Sequence, residues 1–269
     1  MTQAPARGDA GPERPSADAF HRMMRSRRSI RTYRPDAIPS DVLERLFTSA
    51  AAAPSAHNRQ PWRYVVIDEA QARQALARAM GRRLADDRRR DHDAEDAIAR
   101  DVARSFARIT GAPVLILVCL TLEHADAYPD AARSHAEFLM AVQSTAMATQ
   151  NLLLGAHAEG LAACWMCAPL FCPEVVRSVL AFPAYWQPQG LITLGWPADG
   201  GRERQRRPVE EFVAWASLFP SPVPLAGEGR GGGSGGDTFV LNSPTPTPGP
   251  SPQGGGEKRE QHAEDTAGT

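Results

Sequence analysis

Lysine is almost missing from this 269-residue chain: Lys258 is the only one, so nearly all of its 30 basic side chains are arginine. Arginine codons are mostly GC-rich and lysine codons are not, so this bias reads as genome composition and carries no functional message. The net charge is only -1, which removes any global case for nucleic-acid binding. No apolar run approaches the roughly 18 residues that a membrane span needs. The opening stretch MTQAPARGDAGPERPSADAF lacks the apolar core of a signal peptide. Four cysteines in this length are too few for a disulfide framework. Together these absences predict a protein of the reducing cytoplasm. Within residues 18–219 neither GxGxxG nor GxxxxGK occurs, so the dinucleotide-binding and phosphate-loop signatures are missing there, and no HExxH marks a zinc site.

What is present divides the chain into three parts. Residues 1–17 are polar and aperiodic, and are expected to be disordered. Residues 18–219 carry nearly all the aliphatic and aromatic content and form the expected working domain. Residues 220–269 are rich in glycine and proline, with Phe239 as their single aromatic. Such a composition buries too little apolar area to offset its ordering entropy, so a disordered tail is predicted. It reads equally well as an in-frame DNA repeat or as a flexible tether.

Within the domain the pattern mixes helices and strands without a regular βαβ count. Pro39-Ser40-Asp41 signals a helix start, and Val42, Leu43, Leu46, Phe47 and Ala50 share one face behind it. Residues 63–67 read as a strand, and 70–108 as helical and densely charged. VLILVCL, after Pro113, is a continuous apolar run of strand length, as expected of a strand covered on both faces. A long helix is predicted from His135 to His157, closed by Glu159-Gly160. Residues 161–167, 173–180 and 190–196 read as strand, short helix and strand.

Three segments carry chemical signal. Arg27-Arg28-Ser29-Ile30-Arg31-Thr32-Tyr33-Arg34 concentrates guanidinium groups, whose donor forks match phosphate oxygens two at a time; the plainer reading is a solvated basic turn. Pro54-Ser55-Ala56-His57-Asn58-Arg59-Gln60-Pro61-Trp62 sets amides and an imidazole between a helix and a strand, where they could meet the polar edge of a flat ligand or simply stiffen a loop. Ala158-Glu159-Gly160-Leu161 ends the long helix, where backbone groups can face a ligand or merely stop the helix. Cys164 and Cys167 with Cys172 suggest a metal or redox site, but no fourth ligand lies nearby in sequence, and a buried strand is the better reading; no metal is expected. Asp126 and Asp130 read as turn or capping residues.

In this order the segments resemble the nitroreductase superfamily of FMN-dependent oxidoreductases: R-R-S-x-R, then A-P-S-x-x-N-x-Q-P-W, then A-x-x-E-G-L, then a closing strand with a basic segment ahead of a proline. The resemblance covers roughly residues 20–217. Tyr128-Pro129-Asp130, Gln150 to Leu153, Leu170 to Arg177 and Trp186-Gln187-Pro188 further resemble the C-terminal reductase domain of the bifunctional ligase of coenzyme F420, a deazaflavin, here without its ligase half. His57 fits that subgroup, whereas Asn58 and Gln60 match the general pattern.

The resemblance implies an α+β fold with a mixed sheet flanked by helices, a homodimer, and FMN at the dimer interface. It implies that Arg27, Arg28, Ser29 and Arg31 hold the phosphate and ribityl chain, that Asn58 contacts the flavin ring, and that the backbone of Glu159 and Gly160 lies near the ring. Arg204 and Arg206, ahead of Pro208, are implied to return to the phosphate. The implied chemistry is hydride transfer through the flavin, with no side-chain acid or base. The donor would be a reduced nicotinamide or deazaflavin and the acceptor a small molecule, dehydro-F420-0 among the candidates. A broad NAD(P)H-dependent nitro- or quinone reductase and a non-catalytic FMN-binding protein are the competing readings. The charged stretch 82–108 would be either a lid over the substrate or a solvated helical surface.

Overall fold

A computed structural model describes residues 15–215. The expected tail 220–269 and nearly all of the expected N-terminal segment lie outside these residues, as does the expected boundary at 219. The chain divides into two compact units, Met1–Arg206 and Arg207–Thr269. In the second, the described residues contain one 3-10 turn, Val209–Glu211.

The first unit is built on a four-stranded sheet in the order β1-β2-β4-β3, from β1 (Trp62–Ile67), β2 (Val114–Leu120), β3 (Ala162–Met166) and β4 (Gln187–Gly195). All three strand pairings are antiparallel. The expectation of a mixed sheet is thus met only by an isolated parallel bridge, Ser29 to Ala163. Six helices complete the unit: α1 (Ala17–Ser26), α2 (Ser40–Ala51), α3 (Ala70–Arg90), α4 (Glu95–Thr110), α5 (Ala131–Ala158) and α6 (Pro173–Val179).

The apolar run VLILVCL explains the layering. Every residue of β2 is buried, and successive side chains point to opposite faces. Ile116 and Val118 pack with Val42 and Leu46 of α2 and Leu152 and Ala156 of α5. Leu115 and Leu117 pack with Leu76 and Met80 of α3, Ile109 of α4 and Val176 of α6. Each such side chain contributes about 1.5–3 kcal/mol by leaving water, so the two helical layers are held by one central strand.

The structure moves two boundaries. The long helix begins four residues before His135, because the Asp130 side chain accepts from the Arg133 N–H at 2.9 Å and caps it there. The charged stretch 70–108 is not continuous: it breaks after Arg90, and His92 adopts a left-handed φ of 62°. The resulting α3–α4 hairpin is laced by pairs such as Arg88–Asp93 at 2.6 Å and Arg89–Glu95 at 2.8 Å. Cys164 is buried in β3. Among the described residues no group of three or more potential ligands could hold a metal ion, and no helix is long and apolar enough to cross a membrane.

Candidate active site

The arginine-rich segment leaves α1 in extended conformation and runs beside the edge strand β3. Ser29 bridges Ala163, and Tyr33 bridges Pro197. The chain leaving β4 then covers it from the other side. The Arg34 N–H donates to Trp196 O at 2.9 Å, the Ala198 N–H to Thr32 O at 3.2 Å, and the Thr32 hydroxyl to Asp199 at 2.5 Å. Gly201 is needed for this fit: its φ is +68°, and a Cβ there would stand 2.8 Å from Ile30. The Tyr33 hydroxyl donates within the same layer, and burial pushes its ionisation well up.

This arrangement gathers cations. Arg28 donates to the carbonyls of Arg25 at 2.6 Å and Arg27 at 3.2 Å, and to Glu203 at 3.0 Å. Arg27 is half-buried and pairs with no carboxylate among the described residues. Burial, then the nearby charges of Arg206 and Arg28, hold its guanidinium below the ordinary arginine range. Arg206 stands near enough to Arg27 for like-charge repulsion, and both Arg204 and Arg206 are exposed.

Two further residues join the cluster without any sequence signal. Arg108 of α4 lies near Arg31, and burial followed by the charges of Arg31 and Arg104 holds its guanidinium below the ordinary arginine range likewise. His157, in the last turn of α5, meets Ser26 at 2.7 Å. Ser26 gives its own proton to Met23 O, so His157 Nε2 is the donor to Ser26 Oγ. Burial, then Arg27 and Arg28, keep this imidazole below its ordinary range.

Glu159 and Gly160 sit just beyond, but their polar groups are largely committed. The Glu159 carboxylate takes a two-pronged contact from Arg45 at 2.7 and 3.0 Å, which holds it below the usual carboxylate range. The Gly160 N–H donates to His157 O at 3.1 Å and the Leu161 N–H to Ala156 O at 2.8 Å, a glycine-closed helix end. These donors are spent, contrary to the expectation of free groups. Gly160 has φ +77° and open space around it, with no atom within 4 Å of a Cβ built there.

Asn58 lies elsewhere. Its loop follows α2 and packs on the middle of α5, where the Ala56 N–H reaches Ser144 Oγ at 3.5 Å. His57, Asn58 and Gln60 all have left-handed φ values, 51°, 54° and 48°. Asn58 Oδ1 accepts from Gln60 Nε2 at 3.1 Å, and the Gln60 N–H donates to Ser55 Oγ at 3.0 Å. The structure thus brings Arg27, Arg28, Ser29, Arg31 and Arg206 together near Glu159 and Gly160, and keeps Asn58 apart from them.

A phosphate group fits this cluster. Guanidiniums that repel one another, with Glu203 as a largely exposed counter-charge, gain most from a dianion.

Residues 24–196 match the Nitroreductase family. The chain is 30% identical over 213 residues to a protein of Thermus thermophilus named NADH dehydrogenase, covering 70% of this chain and 92% of that one. It is 30% identical over 215 residues to the 5,6-dimethylbenzimidazole synthase of Rhodospirillum rubrum, covering 77% and 93%. A solved structure from Desulfovibrio desulfuricans, described as a nitroreductase in complex with FMN, is 27% identical with a TM-score of 0.55, covering 78% of this chain and all of that one.

Proposed function

The chain belongs to the nitroreductase family and is an FMN-dependent oxidoreductase, and we propose that it passes reducing equivalents from a reduced nicotinamide to a small-molecule acceptor. The observation that carries this reading is the cluster of the half-buried Arg27 and Arg28 with the exposed Arg206, with Glu203 as the carboxylate paired to Arg28. Arg27 and Arg28 would hold the FMN phosphate, Ser29 and Arg31 its approach to the ribityl chain, and Arg206 would close over it. Bound FMN supplies hydride transfer at its N5; the protein supplies binding, orientation and field. The arginines favour whatever form of the cofactor is more negative, by Coulomb attraction. A relative named NADH dehydrogenase supports the nicotinamide donor. The likeness of Tyr128 to Asp130 and of Leu170 to Arg177 to the F420-linked reductase domain supports dehydro-F420-0 as acceptor.

The site is composed from two copies. Along α5, Ser26 touches position 157 and Ala56 touches position 144, a separation of about 20 Å at the helical rise. Gly160 and Asn58, both implied to meet the flavin ring, lie beyond these two points and farther apart than one tricyclic ring extends. They meet the same ring only if Asn58 comes from a second copy. The exposed Leu139 and Met147 on α5 offer that copy an apolar face.

The test is the absorbance spectrum of the purified chain followed by anaerobic addition of NADH, NADPH and a reduced deazaflavin in turn. A flavin band that bleaches with a nicotinamide supports the reading. Bleaching with the deazaflavin alone replaces the donor. A band that bleaches with none identifies a flavin carrier, and no band even with added FMN overturns the assignment.

A further inference from the structure

The loop that presents Asn58 is strained and exposed, yet one residue in it is held fast. His57, Asn58 and Gln60 all occupy left-handed backbone conformations, which persist only where the surroundings over-determine them. Their side chains face solvent. Arg59, between them, has an ordinary φ of -74° and turns inward. Its guanidinium pairs with Glu137 of α5 and with Asp126 at 2.6 Å, and its side chain is only 17% exposed. Glu137 is the one charged residue buried among the described residues. It lies on α5 about two turns before Ser144, which the loop covers, and on the same face. A carboxylate is costly to bury unless paired, so Glu137 draws Arg59 inward, and the covalent neighbours of Arg59 must follow.

We propose that the Arg59–Glu137 ion pair is a clamp that fixes the strained turn and so positions Asn58 for the flavin. Both are positioning residues: they act through Asn58 and touch no cofactor atom. This inference rests on the flavin reading above, with Asn58 at the ring.

The experiment is a double-mutant cycle read as FMN affinity by fluorescence titration. Removing Arg59 alone would leave Glu137 buried and unpaired, so both are replaced together, Arg59→Met with Glu137→Leu, which leaves no buried charge without a partner, since the exposed Asp126 returns to water. The clamp predicts a folded protein whose FMN affinity falls about tenfold, the shift that freeing a turn of this strain would produce. Repeating the replacement in an Asn58→Ala background separates positioning from general stability. If the clamp acts through Asn58, it adds little further loss there. An equal loss in both backgrounds, or no loss in the first, overturns the clamp while leaving the flavin reading intact. Should the paired replacement fold poorly, Glu137→Gln with circular dichroism as a folding control serves the same cycle. A wild-type chain that takes up no FMN defeats the flavin reading and this inference with it.

Discussion

Ser29 and Ala163 are joined in a parallel bridge at the outer edge of the sheet, and this one pairing sets where the arginines stand. It holds the segment between β3 and the chain that leaves β4, so Arg27 and Arg28 are brought to Arg206 from positions 179 and 178 residues away in sequence. Charge-assisted contacts to a phosphate contribute about 1.5–3 kcal/mol each. Arg27→Ala and Arg28→Ala should therefore each weaken FMN by about tenfold or more, and the wild-type affinity should fall as salt is added. Titration at low and high ionic strength checks both. In the absence of FMN, Arg206→Ala should leave stability unchanged or slightly raised, because it relieves repulsion on Arg27.

His157 makes the fold sensitive to mild acid. Burial and the charges of Arg27 and Arg28 hold its imidazole below the ordinary 6.5. As pH falls through that ordinary value the unfolded chain takes up a proton that the folded chain still refuses. Stability thus drops between the unfolded and the folded ionisation, and the loss is complete below the latter. Ser26, Arg27 and Arg28 are the polar and charged groups facing the ring. Urea unfolding at pH ~7.5 and ~5 should show a larger decrease for wild type than for His157→Asn.

Gly190 lets the edge strand close over the sheet. A Cβ there would lie 2.3 Å from the Trp165 ring, on the edge next to its Nε1, which donates to Cys167 Sγ at 3.0 Å. Gly190→Ala must displace the indole, and overpacking of this kind costs typically ~1–3 kcal/mol. The urea midpoint should fall accordingly, with a change in tryptophan emission.

Much of this architecture is written in local pattern, and the exceptions share a cause. The buried strand β2 and the start of α2 were legible because continuous apolar burial and the helix-start residues act within a few positions. The start of α5 is hidden because Asp130 looks like any turn aspartate until its side chain reaches the Arg133 N–H. The break at Asp91 to Ala94 is hidden by charged residues that favour helix on both sides. The antiparallel strand directions depend on pairings between distant segments, which no local period encodes. The arginine segment was legible by motif. His157, Arg108 and the Arg59–Glu137 pair were not, since each gains its role from a partner many residues away.

A site shared between two copies makes a prediction that no single-chain site can satisfy. Co-purified dimers can carry Asn58→Ala in one copy and Arg27→Ala with Arg28→Ala in the other. If Asn58 of one copy serves the arginine cluster of its partner, one of the two sites in this mixed dimer contains both defects and the other contains neither. Such dimers should bind FMN at half the wild-type stoichiometry with wild-type affinity. If each chain builds its own site, every site carries one defect, and no high-affinity fraction survives. Each parental homodimer carries a defect in both sites and should bind weakly under either arrangement. The apolar face at Leu139 and Met147 extends the argument: charge introduced there, as in Met147→Glu, should separate the copies in sedimentation. Because no complete site then remains, FMN should be lost along with the dimer, although the arginine cluster itself is untouched.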